Sequence, residues 1–319
     1  MTGTPARRHR PILGMSAVLL PFTADGAVDW PGFESLVART VEAGLVPAVN
    51  MDTGYVQVLD TDTRARVLRI AARSSGAPGF VAGAFVADES GARFDIDAYL
   101  AAMEAVSASG GTPVVFPSHG LNSLDEDEWV AAHDALGRRL DRFIGFELGP
   151  MFVPYGRIYS LAAYEGLLSV RSCIGAKHSS LSREAEWDRL EVRDRVRPDF
   201  HVFTGNDLAI DMVCYGSDYL LGLSAFAPEA FAERDRRWEH GERSFHELND
   251  LLQYLGAFAF RAPVPAYRHD AALFLQLRDR IDSDSTPPGA PRRPDSDRAV
   301  LAEIAQQTAA LDQMLEALS

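Results

Sequence analysis

The chain predicts a parallel α/β fold closed into a (β/α)8 TIM barrel with a C-terminal helical extension. Three observations carry that prediction. Short apolar runs alternate with amphipathic helical stretches between residues 12 and 241, the pattern of a parallel sheet covered by helices. The alternation repeats eight times, which favours closure of the sheet into a cylinder. No Gly-rich dinucleotide fingerprint follows the first apolar run, which weighs against the open doubly wound alternative.

The units follow in order. Residues 12–22 read as a first buried strand, ended by turn chemistry at Asp25 and Gly26. A helix over 30–43 puts Phe33, Leu36, Val37 and Val41 at helical spacing and stops at Gly44. Further strands are predicted over 46–51, 79–86, 113–116, 143–148, 173–177, 201–204 and 219–223. The helices between and after them fall at 61–73, 95–109, 126–140, 162–170, 184–195, 208–215 and 228–239.

Outside the barrel the chain divides further. Residues 1–11 form a tail, and 242–281 hold helices over 244–260 and 264–281. Residues 282–297 are rich in Pro, Ser and Asp and read as a linker. An amphipathic helix over 298–319 offers Leu301, Ile304, Leu311, Met314 and Leu315 to its own chain or to a partner subunit.

Composition narrows the function. With 47% hydrophobic and 24% charged residues the chain is a soluble globular protein. A net charge of -14 argues against a nucleic-acid partner. The run over 12–22 is too short to span a bilayer, and the tail carries no secretion signal. Cys173 and Cys214 sit in apolar stretches without metal-ligand spacing, which indicates buried thiols and a reducing compartment. The expectation is a cytoplasmic protein without a membrane partner.

Of the 31 lysine and arginine residues, 30 are arginine; the one lysine is Lys177. Arginine stays protonated and is no nucleophile, whereas a desolvated lysine loses its proton and attacks carbonyls. The plain alternative is a chance survivor at a solvated strand end. In a barrel of this kind the site lies at the C-terminal ends of the strands. The strand assignments bring Asp52, Thr53, Gly54 and Tyr55, then Ser118 and His119, Glu147, Lys177 and His178, Gly205 to Asp207, and Leu221 to that end. Lys177 is in the set, so imine chemistry on a 2-oxo acid is expected. Such chemistry needs donors for the substrate's carboxylate, a proton shuttle and a dry amine. Thr53 and the N–H groups of Thr53 and Gly54 suit the first need, although an ordinary capped turn reads the same way.

Up to about residue 281 the chain resembles the dihydrodipicolinate synthase and N-acetylneuraminate lyase family of class I aldolases. The likeness rests on PFTADGAVD at 21–29, Thr53-Gly54, LDTDTR at 59–64, IGAKHSS at 174–180, FTGND at 203–207 and YGSDYLLGLSAFAPE at 215–229. It implies Lys177 as imine lysine, no metal or organic cofactor, and a homo-oligomer, tetramer or dimer. It also implies that Thr53 binds the substrate carboxylate, that Gly205 and Leu221 line the pocket, and that Arg157 meets the second substrate's far carboxylate. Arg268 stands where many members have lysine.

Departures from the family pattern bear on the reaction. Asp52 replaces the first threonine of the Gly-Thr-Thr-Gly-Glu turn, Tyr55 its glutamate, and His119 the second tyrosine of Pro-Tyr-Tyr. The catalytic tyrosine after the fifth strand has no clean counterpart among Phe146, Glu147 and Phe152, with Tyr155 nearby. The usual relay is therefore absent, and authentic dihydrodipicolinate synthase activity is not expected. Asp52, His119 and Glu147 form the expected substitute, unless His119 is a satisfied loop residue and Glu147 pairs with an arginine such as Arg157. Two other readings stay open. One is a metal-assisted lyase using Glu147, Asp52, His119 and Asp207. The other is a catalytically silent barrel that binds a small acid as sensor or subunit.

Overall fold

A computed structural model describes residues 6–7, 9–76 and 79–316. Strands β1 (Gly14–Ala17), β2 (Val46–Val49), β3 (Val81–Ala84), β4 (Thr112–Val115), β5 (Phe143–Leu148), β6 (Cys173–Ser179), β7 (His201–Thr204) and β8 (Asp218–Leu221) pair in sequence order. β8 pairs in parallel with β1 and closes the barrel. Around it lie α1 (Trp30–Glu42), α2 (Thr61–Ser74), α3 (Ile96–Ala108), the short α4 (His119–Asn122), α5 (Glu126–Gly137), α6 (Leu161–Leu168), α7 (Arg183–Val196) and α8 (Pro228–His240).

Local sequence sets these boundaries. The side chains of Asp29, Asp60, Asp95, Ser118, Asp125, Ser160 and Ser182 each accept a first-turn N–H, so the helices begin where an orphan donor finds a partner. The helix expected over 208–215 is instead a 3-10 turn, Ile210–Tyr215. Gln253 Oε1 takes its first N–H at 2.9 Å, and Gly216 ends it at φ 112°. The last strand stops at Leu221 rather than at 223, because Leu223 already lies in the next 3-10 turn.

Strand alternation sorts the side chains around Lys177. Phe146 pairs in register with Lys177 and Lys177 with Phe203, while Glu147 pairs with His178 and His178 with Thr204. Successive residues of a strand face opposite sides. The first row therefore points into the barrel, with the Lys177 amine 4.6 Å from the centre of the Phe146 ring. The second row faces α7, whose Glu186, Arg189 and Arg193 are all buried.

The C-terminal part wraps one side of the barrel through α9 (Ser244–Ala259), a 3-10 turn at Val264–Ala266, α10 (Tyr267–Leu277) and α11 (Asp297–Glu316). The single helix expected over 264–281 is thus broken into a turn and α10. Residues 282–297 are not a free linker. Buried Arg293 donates to Asp270 Oδ2 (3.0 Å) and to the carbonyls of Ala259 (2.6 Å) and Arg261 (2.7 Å), and Ser285 bridges to Phe22. α11 packs on its own chain, with Leu301, Ile304 and Ala305 in the core. The side chains of Leu311, Met314 and Leu315 lie outside the described residues. Among the described residues no helix is long and apolar enough to cross a membrane. Cys173 and Cys214 are buried and free, and burial pushes both thiols up to about 12.

Candidate active site

Lys177 sits near the C-terminal end of β6 on the barrel's inner face and is 7% exposed. Burial pushes its ammonium down to about 8, against the opposing pull of the Asp207 and Asp52 carboxylates. Among the described residues the amine makes no hydrogen bond and no ion pair. It is therefore neutral in a substantial fraction of molecules near pH 8, and its lone pair is available.

Gly205 lies against this side chain. A Cβ there would stand 2.0 Å from Ser179 Oγ and 2.8 Å from Lys177 Cε. We expect Gly205→Ala to displace the amine and, where Lys177 acts as an imine lysine, to slow its trapping roughly 10²-fold, the cost of misplacing a reacting group by about 1 Å. Single-turnover trapping measures the rate, and circular dichroism checks that the barrel is retained.

Asp207 follows β7, and its Oδ1 accepts the N–H of Leu223 at 2.7 Å. Burial raises its carboxyl to about 7, although that N–H and the Lys177 charge work against the rise. Its proton therefore exchanges near neutral pH, within electrostatic reach of the amine. Sequence reading placed Asp207 at the strand end and weighed it only as a metal ligand.

The turn after β2 departs more from expectation. Gly54 N–H donates to Met51 O at 3.0 Å and is committed within the 3-10 turn, so it is not free for a substrate carboxylate. Thr53 Oγ1 lies 2.8 Å from Tyr267 Oη. Tyr267 O–H donates to Asp52 Oδ2 at 3.0 Å, and Gln57 Nε2 donates to Asp52 Oδ1 at 2.8 Å. Arg268 adds contacts to the Asp52 carbonyl (3.2 Å) and to Oδ1 (3.4 Å). Tyr267 escaped the sequence reading because it is the first residue of α10, far along the chain from any strand end.

Glu147 is not part of this group. It lies on the outer row, fully buried, where Arg189 grips both oxygens at 2.7 Å. His178 Nδ1 lies 2.9 Å from Oε2, and Tyr159 N–H donates to Oε1 at 3.0 Å. Burial alone would raise its carboxyl, but His178 and Arg189 outweigh it and hold the group down to about 2. Burial also lowers His178, despite the carboxylate beside it. A carboxylate only accepts, so the neutral imidazole carries its proton on Nδ1 and takes the Ser180 hydroxyl at Nε2 (2.7 Å). The expected role of Glu147 as proton shuttle beside Lys177 is thus corrected by strand parity, and its arginine partner is Arg189 rather than Arg157.

The remaining candidates spread around the rim. His119 opens α4, its N–H bound by Asp88 at 2.8 Å, and its ring lies 4.3 Å from that of Tyr155. Burial, with Asp52 and Asp88 nearby, raises the Tyr155 phenol to about 12. Arg157 donates to Leu124 O at 2.7 Å and lies over the Tyr159 ring, so its guanidinium is engaged beside α5. The Leu221 carbonyl accepts the Ser224 hydroxyl at 2.9 Å. Asp52, His119, Glu147 and Asp207 do not converge on one point. Among the described residues no group of three or more His, Cys, Asp or Glu side chains is placed to hold a metal ion.

This architecture is an α/β barrel of the dihydrodipicolinate synthase type. The structure of dihydrodipicolinate synthase from Thermotoga maritima superposes with a TM-score of 0.79 at 17% identity, over 94% of this chain and 99% of that one. The chloride-inhibited enzyme from Acinetobacter baumannii complexed with pyruvate gives 0.76 at 17% identity, over 94% and 99%. A prophage protein of the dihydrodipicolinic acid synthase family from E. coli K12, also in complex with pyruvate, gives 0.77 at 17% identity, over 93% and 98%. No family model matches the sequence, and no curated protein matches it. Likeness at this identity shows the fold.

Proposed function

We propose that the chain is a divergent member of the dihydrodipicolinate synthase and N-acetylneuraminate lyase family, a Schiff-base-forming lyase, aldolase or dehydratase acting on a pyruvate-like or sugar-derived 2-oxo acid. One observation carries the reading: the chain's single lysine is inside the barrel near the C-terminal end of β6, without an ion pair among the described residues. Two proteins of the same fold were solved with pyruvate, which supports the substrate class.

In this reading the neutral Lys177 amine attacks the ketone carbon and a carbinolamine forms. Asp207, which holds its proton near 7 within electrostatic reach of the amine, takes the nitrogen proton through a bridging water and returns one to the departing hydroxyl, which leaves as water. The neutral imine left behind takes up a proton from solvent, and the iminium so formed accepts electrons when the neighbouring bond breaks. Thr53 seats the substrate carboxylate, and the adjoining rings of His119 and Tyr155, tilted 44° to each other, serve the distal end at the rim. Borohydride reduction in the presence of pyruvate, followed by peptide mass measurement, tests the reading. An adduct on Lys177 is expected; none with any 2-oxo acid removes it.

The pH dependence follows from the amine. Below about 8 the ammonium predominates and cannot attack. The rate of imine formation therefore rises with pH and levels off above about 8, as stopped-flow trapping will read. The commitment of Glu147 to Arg189 and His178 favours a second reading, a silent barrel that binds a small acid. Its mark is binding without turnover, unchanged in Lys177→Met.

A further inference from the structure

Three side chains on the outer side of β5 and β6 stand in the order of a nucleophile, its base and the group that aims the base. Ser180 Oγ lies 2.7 Å from His178 Nε2, and His178 Nδ1 lies 2.9 Å from Glu147 Oε2. With the ring proton on Nδ1, facing the carboxylate, Nε2 is an acceptor, so the proton between it and Ser180 belongs to the hydroxyl. This is the resting arrangement from which a serine gives its proton to an imidazole as it attacks. The imine chemistry at Lys177 uses none of the three.

The surroundings of the hydroxyl fit the same role. His178 is fully buried, whereas Ser180 is half-buried just past the end of β6, so the hydroxyl is the member of the line that meets solvent. Its oxygen takes the Ser182 N–H at 3.1 Å, which leaves one lone pair for attack. Leu181 follows in the left-handed region at φ 57°, a conformation that bulky residues keep mainly where function holds them. Its N–H has no hydrogen-bond partner among the described residues. The N–H that follows a serine nucleophile is a usual donor to the oxyanion of acyl transfer. A purely structural turn accounts for the Ser182 N–H but not for a strained leucine beside an open donor.

We propose that Ser180, His178 and Glu147 form a hydrolytic site separate from Lys177, acting on carboxylic esters whose alcohol leaves readily. Ser180 Oγ bonds to the acyl carbon while its proton passes to His178 Nε2, and the Leu181 N–H takes the carbonyl oxygen. The tetrahedral adduct then breaks its bond to the alcohol, which leaves with the proton from Nε2. Water adds to the acyl-serine by the same route and frees the acid. Glu147 is the positioning residue: it keeps the ring proton on Nδ1 and balances the charge that the imidazole acquires. Arg189 holds both Glu147 oxygens at 2.7 Å and offsets part of that negative charge, which makes the imidazole a modest base. Reactive esters therefore fit the site, and amides do not.

Turnover of p-nitrophenyl acetate and labelling by a fluorophosphonate, with peptide mass measurement, test the site. The wild-type protein releases p-nitrophenolate catalytically and carries the phosphonyl group on Ser180. Ser180→Ala loses the label and lowers turnover at least 10²-fold with its circular dichroism unchanged. His178→Gln slows labelling roughly 10²–10⁴-fold, the span of general-base assistance. Where that variant does not fold, the pH profile of wild-type labelling reads the base. Burial and the Arg189 charge lower the imidazole against the pull of Glu147, so the rate is level above about 6.5. A rate that climbs tenfold per pH unit there, a label on a residue other than Ser180, or an undiminished rate in folded His178→Gln overturns the site. The borohydride result at Lys177 bears on neither outcome.

Discussion

Lys177→Arg is expected to abolish the borohydride-trapped adduct and to lower turnover by roughly 10⁴-fold or more, the scale on which loss of a covalent nucleophile acts. The substitution keeps a cation at the barrel mouth, so attraction for an acid persists while the carbon-nitrogen bond cannot form. Loss of catalysis with binding retained is the signature of a nucleophile; loss of both would indicate a purely electrostatic role. Because the sequence contains no other lysine, a labelled lysine side chain in the wild-type protein has only one position.

Arg189→Met is expected to cost about 3–5 kcal/mol of stability, since it leaves the Glu147 carboxylate buried without its cation. The pair lies wholly between the barrel and α7, with Glu147 fully buried and Arg189 3% exposed. Replacing both partners, as in Glu147→Leu with Arg189→Met, recovers only part of the loss: the unpaired buried charge is gone, but His178 Nδ1–H and Tyr159 N–H, which donated to Glu147, are left without that acceptor. Urea unfolding reads both effects. The acid limb supplies a further check. Glu147 falls from an ordinary 4.5 to about 2 in the folded chain, so its contribution is complete above about 4.5 and is lost as pH falls towards 2. Without Arg189 that loss begins at higher pH. Lys177 still forms its adduct in these variants where they fold, which separates a scaffold role from a catalytic one.

Much of the barrel was legible because period and punctuation agree in the sequence. β5 and β7 fall on the predicted residues, and helix after helix starts at an Asp or Ser that caps its first turn. Lys177 was legible through its rarity and its place at a strand end. Strand parity was the neglected signal for Glu147. In FIGFEL the apolar alternation at Ile144, Phe146 and Leu148 turns Glu147 away from the face that Lys177 shares with Phe146. Buried Glu186, Arg189 and Arg193, three and four residues apart on α7, are the matching signature of a polar strand face beneath a helix.

Tyr267 and Arg293 were beyond such reading, since their roles depend on contacts more than 200 residues away in one case, 267 to 53 and 52, and on a Pro-rich segment folding back in the other. Residues 282–297 have the composition of a linker, but the donors of Arg293 fasten them to the turn between α9 and α10, and Ser285 and Asp297 add ties to Phe22 and Arg261. Composition reports how readily a segment orders by itself, not what a buried guanidinium will hold in place.

A crystal of the protein soaked with pyruvate tests the central claim most directly. The account predicts continuous density from Lys177 Nζ to the ketone carbon, the substrate carboxylate at Thr53, and Glu147 still gripped by Arg189. Pyruvate bound elsewhere, or an amine drawn into an ion pair with Asp207 or Asp52 and no bond to carbon, would contradict it.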